Sequence, residues 1–574
     1  MLKVYKQYYK FLFKYKWQFI LFVIFLVGLS IAESIRPYFY KLFIDKLPDG
    51  NFQSLFQILL AYSGVRVIQL VLDILTYIFG DSVLLPAARD ARMAVFKKIQ
   101  DLDFAFSMTR STGSMISSMK RGDMAFFDLH HAINIKLVRI TINFFVIMWV
   151  FSHIKIEIAL VMLATMFFNL VFAYFLIRLN ILARKRFNDE EDNISSVIVD
   201  NMINFETVKL FAKEGEEYQK LRIKFIPWMK ELWGYANSFR KIDIVVGTAG
   251  ELSLFLVLFV GLKQVVGFDL SAAEYVMILG FVSSFYPRFF ELIYEFRNIA
   301  KFNVDLEKYF DVFNFETLVK DKEHPVKKEF ARGEIVFDDV SFSYPEGTQD
   351  ALKNVSLRIR EGQSVAFVGH SGAGKTTITK LLMRFFDPDS GKVTIDGVDI
   401  ADLTKTNLRS FMGVVPQEPV LFNDSIAYNI GYGAGTSSME EVVAAAKMAN
   451  LHDFISDLPK GYETKVGERG VKLSGGQKQR LAIARMILST PDIIIFDEAT
   501  SQLDSESEKL IQDAFWKASK NKTTIIIAHR LSSITRADKI VVMDGGKIAE
   551  IGNHEQLLEK NGLYNKFWKL QTEV

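Results

Sequence analysis

The sequence predicts two domains of different class: an N-terminal all-α membrane domain of six helices, then a C-terminal α/β domain with a largely parallel sheet. Three observations carry this. Half of the 574 residues are hydrophobic, with 51 Phe, and the apolar runs are concentrated in the first half of the chain. Six windows there reach the roughly 20 mostly apolar residues that a ~30 Å hydrocarbon core requires. In the second half, short strand-like runs such as "QSVAFVG", "DIIIFDE" and "TTIIIIAH" alternate with helical patterns. The formal net charge of +3 is too small for a nucleic-acid binder, and no basic repeat is present. Cysteine is absent, which excludes disulfides, thiolate metal sites and cysteine nucleophiles.

At the N-terminus, lysines and aromatics over residues 2–16 precede a long apolar run with no small-residue cleavage site, which predicts an interfacial segment leading into a membrane helix rather than a secretory signal. The six windows fall at 17–43, 54–80, 136–153, 156–178, 242–266 and 272–298. The third is the shortest. Short connections alternate with two long ones, and the long ones carry Arg89, Arg92, Lys97, Lys98, Arg184, Lys185, Arg186, Lys220, Arg222 and Lys224, which assigns them to the cytoplasm. Both read as helical extensions of the spans, with turns expected at Gly113 and Gly215. The domain boundaries read as 1–315 for the membrane domain, 316–332 for a charged linker and 333–574 for the α/β domain.

The nucleotide chemistry begins at "GHSGAGKTT", residues 369–377, which follows the apolar strand "SVAFV" and opens a helix, the context a P-loop requires. Gly369, Ser371, Gly372 and Gly374 let backbone N–H groups converge on phosphate, and the helix N-terminus adds favourable field. Lys375 neutralises the β and γ phosphates; Thr376 and Thr377 follow, with the Thr376 hydroxyl aimed at Mg²⁺. In "IIIFDEATS", a buried-strand run ends in Asp497, the second metal carboxylate, and Glu498 is placed to activate water. These motifs predict a P-loop NTPase domain that binds a nucleoside triphosphate with Mg²⁺.

With "LSGGQ" at residues 473–477 added, the second half resembles the cassette of an ATP-binding-cassette protein, and the whole chain resembles a half-size ABC exporter. The resemblance implies further roles: Tyr344 stacks on adenine, Gln417 links the metal site to the membrane domain, "VGERG" at 466–470 makes a cross-contact, and His529 is a switch near the γ-phosphate. It also implies that Ser474, Gly475, Gly476 and Gln477 cap the ATP held by a second chain, so the partner is another copy, or a related chain in a heterodimer. Turns at 110–117 and 206–216 are coupling helices by the same resemblance. Gln502 stands where the family usually has alanine.

Charged residues inside the spans are expected either to line a cavity or to form internal ion pairs: Glu33, Arg36, Arg66, Asp73, Glu251, Arg288 and Glu291. Glu33 and Arg36 lie one turn apart, and Arg66 and Asp73 share a helix face. The expected function is ATP-driven export of an amphipathic lipid or drug-like substrate across a prokaryotic inner or plasma membrane. The alternatives are export of glutathione-linked compounds, which "NMINFETVKLF" and "PVLFNDSIAYNI" resemble, and a non-transporting ATPase that gates a channel.

Overall fold

Long apolar helices satisfy their own backbone groups, the condition for crossing hydrocarbon, and among the described residues of the computed structural model six such stretches occur: Lys3–Lys46, Phe52–Asp101, Ser118–Ile154, Ile156–Met202, Glu214–Val266 and Ala272–Asn314. The structure describes residues 2–104, 106, 112–329, 331–344, 350–467, 470, 472–497, 505–528 and 530–572. It divides into two units, one of Met1–Asp101 with Arg110–Glu316 and one of Leu102–Thr109 with Thr317–Val574.

In the first unit, α1 (Leu2–Leu12) is amphipathic, but its apolar stripe is buried rather than free for lipid. Val4, Tyr8 and Leu12, at helical spacing, pack against Val83, Ala87, Phe126 and Leu306. The first span breaks at Ile35 into α2 (Lys16–Ser34) and α3 (Arg36–Lys46), with Pro37 in the first turn of α3, where its missing N–H costs no helical bond. α4 (Phe52–Asp101) runs unbroken for 50 residues, and the helical reading of the first long connection holds for it. α5 (Thr112–Leu129) passes through an eight-residue π-helical stretch, His130–Leu137, into α6 (Val138–Ile154), so the short third window is the end of a longer helix.

α7 (Ile156–Ile203), α8 (Phe205–Leu210) and α9 (Glu214–Val266) form the second extension. Its turn is made by Ala212 in the left-handed region (φ 50°), while Gly215 is helical; the polar Lys213–Glu214 junction, not the glycine, starts the returning helix. Gly113 likewise lies within α5. α10 (Ala272–Phe310) begins at a capping box of Ser271 and Glu274. Its Met277, Phe281, Phe285 and Phe289 centre a core with Ile147, Phe151, Met162 and Val246.

The second unit is built on two sheets. β1 (Ile335–Ser343), β2 (Asp350–Ile359), β4 (Ser390–Ile395) and β5 (Val398–Asp399) form an antiparallel sheet in the order β2-β1-β4-β5. β3 (Ser364–Val368), β6 (Met412–Val415), β7 (Ile493–Asp497), β8 (Thr523–Ile527), β9 (Lys539–Asp544) and β10 (Lys547–Gly552) form the second, ordered β10-β9-β3-β8-β7-β6 and parallel except at β10. β3 and β8 are buried along their whole length, as continuous apolar strands covered on both faces should be. The helices are α11 (Lys375–Leu382), α12 (Lys405–Ser410), α13 (Ile426–Gly431), α14 (Met439–Met448), α15 (His452–Ser456), α16 (Gly475–Leu488), α17 (Ser505–Ala518), α18 (His554–Glu559) and α19 (Leu563–Thr572).

The segment read as a linker is held to this unit. The Asp396 carboxylate accepts N–H bonds from Arg332 (2.8 Å), Gly333 (3.1 Å) and Glu334 (2.8 Å) and pairs with Lys328 (2.8 Å). The short run after α4 belongs to the same unit: Asp103 accepts from the Leu318 and Val319 N–H groups, and Phe104 stacks on Phe385 at 4.7 Å between ring centroids. This run begins several residues before the turn expected at 110–117, of which residues 110 and 111 lie outside the described residues.

Candidate functional site

Strand register gathers the site. Phe367 of β3 pairs with Ile527 of β8, which pairs with Asp497 of β7, so the residues that follow these strands emerge together at one C-terminal edge of the sheet. From β3 the chain turns through Gly369 (φ 151°), Gly372 (φ 83°) and Gly374 (φ 100°) into α11. A Cβ on Gly369 would meet the Met543 carbonyl oxygen at 2.2 Å and one on Gly374 the Ala351 carbonyl oxygen at 2.7 Å, so only glycine fits either position. Ser371, Gly372 and Thr376 are exposed on the loop, while Lys375 and Thr377 are buried.

Lys375 Nζ donates to the carbonyls of Gly369 (2.7 Å) and His370 (3.0 Å). Burial pushes its ammonium pKa down against the opposing charge of Asp497. Burial pushes the Asp497 carboxyl up, against Lys380 and Lys375. The two shifts have one cause: each group is desolvated more than its neighbour compensates, an arrangement that favours a bound anion at Lys375 and a bound cation at Asp497. Glu498 and His529, the expected water activator and switch, lie outside the described residues, as do Gln502 and residues 468 and 469 of the "VGERG" segment.

Tyr344 is half-buried, edge-on to Phe342 (5.1 Å) and Phe386 (5.4 Å), and its hydroxyl lies 3.2 Å from Thr377 Oγ1. Lys380 Nζ sits 5.3 Å from the ring centroid, a neighbour that sequence reasoning missed. Gln417 is exposed. Its carbonyl accepts from Gln479 Nε2 at 2.6 Å, which ties this loop to α16; Gln479 is 4% exposed and gave no motif signal. Ser474 is the N-cap of α16. Its hydroxyl accepts from the Gln477 N–H (3.3 Å) and Gln477 Oε1 accepts from the Ser474 N–H (2.8 Å), so Gln477 closes a capping box and Gly475 is left exposed at the helix start.

In the membrane unit, the Glu33 carboxylate, 12% exposed at the side chain, bridges Arg139 (Nε to Oε2, 2.9 Å) and Arg288 (2.8 Å). With its amide oriented to match donors with acceptors, Asn143 donates to Ser34 Oγ (2.8 Å) and the Ser30 carbonyl (2.9 Å) and accepts from Arg288 (2.9 Å). Glu33 and Arg288 are therefore an ion-pair cluster. Arg139 completes it, and its position inside the third window was the available signal. The pairings suggested by spacing do not form: Arg36 donates to the Glu33 backbone carbonyl and Arg66 to Gln69 on its own helix. Glu251 and Glu291 are exposed.

Asp73 differs. With Asp81, Thr76 and Tyr77 of α4 it lines a cavity closed by Leu26, Leu29, His130 and Arg139, with a volume of about 30 Å³. Among the described residues neither carboxylate has an ion pair, and His130, 1% exposed, has no hydrogen-bond partner for Nε2.

Comparison with known proteins accounts for both units. Residues 19–287 match the ABC transporter transmembrane region and residues 352–501 the ABC transporter domain. The chain is 38% identical to "ATP-binding cassette sub-family B member 6" of Mus musculus over 85% of its own length, and spans 58% of that protein. It is 33% identical to the YgaD ATP-binding/permease protein of Bacillus subtilis (strain 168), over 99% of both chains. Among solved structures it is similar to one titled "Structure of a bacterial Atm1-family ABC exporter with ATP bound", with a TM-score of 0.86 and 32% identity, covering 96% of this chain and 98% of that one. The chain belongs to the ABC transporter family, as a multi-pass membrane protein that carries a transmembrane region and an ATP-binding cassette in one polypeptide.

Proposed function

We propose that the chain is an ATP-driven exporter that acts as a dimer and takes an amphipathic substrate bearing a basic group. The observation that carries the substrate class is the α4 cavity. Two carboxylates, Asp73 within the span and Asp81 at its end, line it without an ion pair among the described residues, beside the aromatic Tyr77, while Arg139, which also lines it, is paired with Glu33. A carboxylate in a membrane-spanning helix is costly unless something compensates its charge. The cavity has room for one or two water-sized groups, which suits an ammonium head whose apolar body lies elsewhere.

In the cassette, Lys375 and the N–H groups of the 369–377 loop bind the ATP phosphates. Tyr344 stacks on adenine on the face that Lys380 leaves open. Thr376, Asp497 and Gln417 would hold Mg²⁺, which would supply positive charge to the phosphates. Glu498 orients water for attack on the γ-phosphate, and His529 responds to that phosphate. The start of α16, where Ser474 and Gly475 are exposed and Gly476 follows, caps the ATP of a second copy, with Gln477 fixing the Ser474 rotamer. Two features support pairing: the chain has a single "LSGGQ", and the second extension ends in an apolar tip, with Phe205, Leu210 and Phe211 57%, 75% and 70% exposed. The basic residues of both extensions support a cassette on the cytoplasmic side.

The test is ATPase activity of the reconstituted protein titrated with amphipathic amines, glutathione conjugates and neutral lipids. Stimulation by amines, weakened about tenfold in Asp73→Asn, is expected. Stimulation by glutathione conjugates with no response to amines would overturn the substrate class.

A further inference from the structure

The last helix of the chain reaches both loops of the nucleotide site. α19 is anchored at its start, where the Glu550 carboxylate of β10 accepts the Leu563 N–H (2.7 Å) and the Tyr564 N–H (3.3 Å). Tyr564, fully buried, is hydrogen-bonded through its hydroxyl to His554 Nδ1 at 2.7 Å. Residues 564, 567 and 571 share one face at helical spacing; Tyr564 and Phe567 pack on the core of the unit, and Phe567 and Gln571 also reach the two loops. Phe567 meets His370, the second residue of the P-loop, edge to face at 4.8 Å and 82°. Gln571 Oε1 accepts the N–H of Leu531 at 2.8 Å.

His370 is exposed on its loop, so the Phe567 ring is a lateral support for a backbone that must hold three glycines at positive φ. Leu531 opens a 3₁₀ turn, Leu531–Ile534, whose first N–H has no partner within the turn. It stands two residues after His529, and the intervening Arg530 pairs with Glu508 of α17 at 2.5 Å. Arg530 and Leu531 are thus held from α17 and from α19, and the P-loop is contacted from α19 as well.

We propose that α19 is a positioning element for ATP hydrolysis: Phe567 holds the P-loop through His370, and Gln571 holds the N–H of Leu531, two residues along the chain from His529. This rests on the assignment of both loops to the ATP site. The two contacts act on different steps. Loss of the edge-to-face ring pair in Phe567→Ala raises the KM for ATP about 2- to 10-fold with kcat largely kept. The Gln571 hydrogen bond is of the same order, and Gln571→Ala lowers kcat about 2- to 10-fold with KM kept. Phe567→Tyr keeps the ring edge and Gln571→Glu keeps the acceptor; both restore the wild-type parameter.

The experiment is steady-state ATPase kinetics of the full chain in liposomes, normalised to folded protein by gel filtration, with Lys375→Ala measured alongside. Where an alanine variant folds poorly, Phe567→Leu and Gln571→Met are read in its place. The separate KM and kcat effects, with rescue by Tyr and Glu, are expected. Unchanged kinetics in the α19 variants, or KM and kcat moving together without rescue, would overturn the proposal while Lys375→Ala is inactive. Full activity in Lys375→Ala would instead overturn the ATP-site assignment itself.

Discussion

Replacing Glu33 by Gln removes the one negative charge between Arg139 and Arg288 and strands two guanidinium groups inside the helix bundle. Removing a partner from a buried ion pair costs about 3–5 kcal/mol. Here the arginine side chains are 28% and 30% exposed, and screening by solvent lowers the figure to about 2–3 kcal/mol. Arg288→Ala is milder, because Glu33 keeps both contacts to Arg139 and only the Asn143 oxygen loses its donor; about 1–2 kcal/mol is expected. The informative variant is the double one. Glu33→Gln with Arg288→Ala removes one of the stranded cations, so it should be no less stable than Glu33→Gln alone, a coupling of at least 1–2 kcal/mol on the ~1 kcal/mol scale typical of contacting residues. The assay is the fraction of detergent-solubilised protein that stays monodisperse after stepwise heating. Additive losses in the double variant, or a Glu33→Gln protein as stable as wild type, would refute the cluster as described.

Gly374→Ala forces a side chain to φ 100° and brings its Cβ to 2.7 Å from the Ala351 oxygen and 2.8 Å from Leu352 Cδ2; the strain alone is about 1–2 kcal/mol, so titration with a fluorescent nucleotide should show affinity down about tenfold or more, and a change within about twofold would contradict the loop geometry. Burial opposes ionisation of Asp396, but Lys328 and the N–H groups of Glu334 and Arg332 outweigh it and hold its carboxyl below the usual range. The stability it contributes is therefore fully present above the unfolded value of about 3.9 and is lost as pH falls from there through the folded pKa; acid titrations of wild type and Asp396→Asn should converge in that window, and parallel curves would count against the pinning of residues 332–334. Tyr344→Phe should leave ATP affinity nearly intact while Tyr344→Ala weakens it by about 1–3 kcal/mol, as measured by nucleotide titration; equal affinity in the alanine variant would remove Tyr344 from the adenine site.

What was legible in the sequence was local. A P-loop is a run of residues whose chemistry depends on their own order, and Asp497 follows from a buried strand that ends in a carboxylate; both are read without knowing what lies nearby. The six spans are equally local, since each helix satisfies its own backbone. The Glu33 cluster was not legible, because its partners stand 106 and 255 residues away and no spacing rule connects them. Spacing along one helix suggested Arg36 for Glu33, and the structure places Arg36 on a backbone carbonyl instead. Glycine was a poor guide to the second extension's turn: Ala212 takes the left-handed conformation there while Gly215 stays helical. The capping role of Gln477 and the tie that Gln479 makes from α16 to the Gln417 loop were not noticed. Two glutamines in one motif differ only in which face of the helix they occupy.

The measurement that bears most directly on the account is ATP-dependent uptake of a labelled amphipathic amine into proteoliposomes whose cassettes face outward, compared between wild type and Glu498→Gln. The account predicts concentrative uptake by wild type, none by Glu498→Gln, and retained ATP binding in the variant because the P-loop and Asp497 are intact. Uptake that is independent of ATP, or equal in the two proteins, would contradict it.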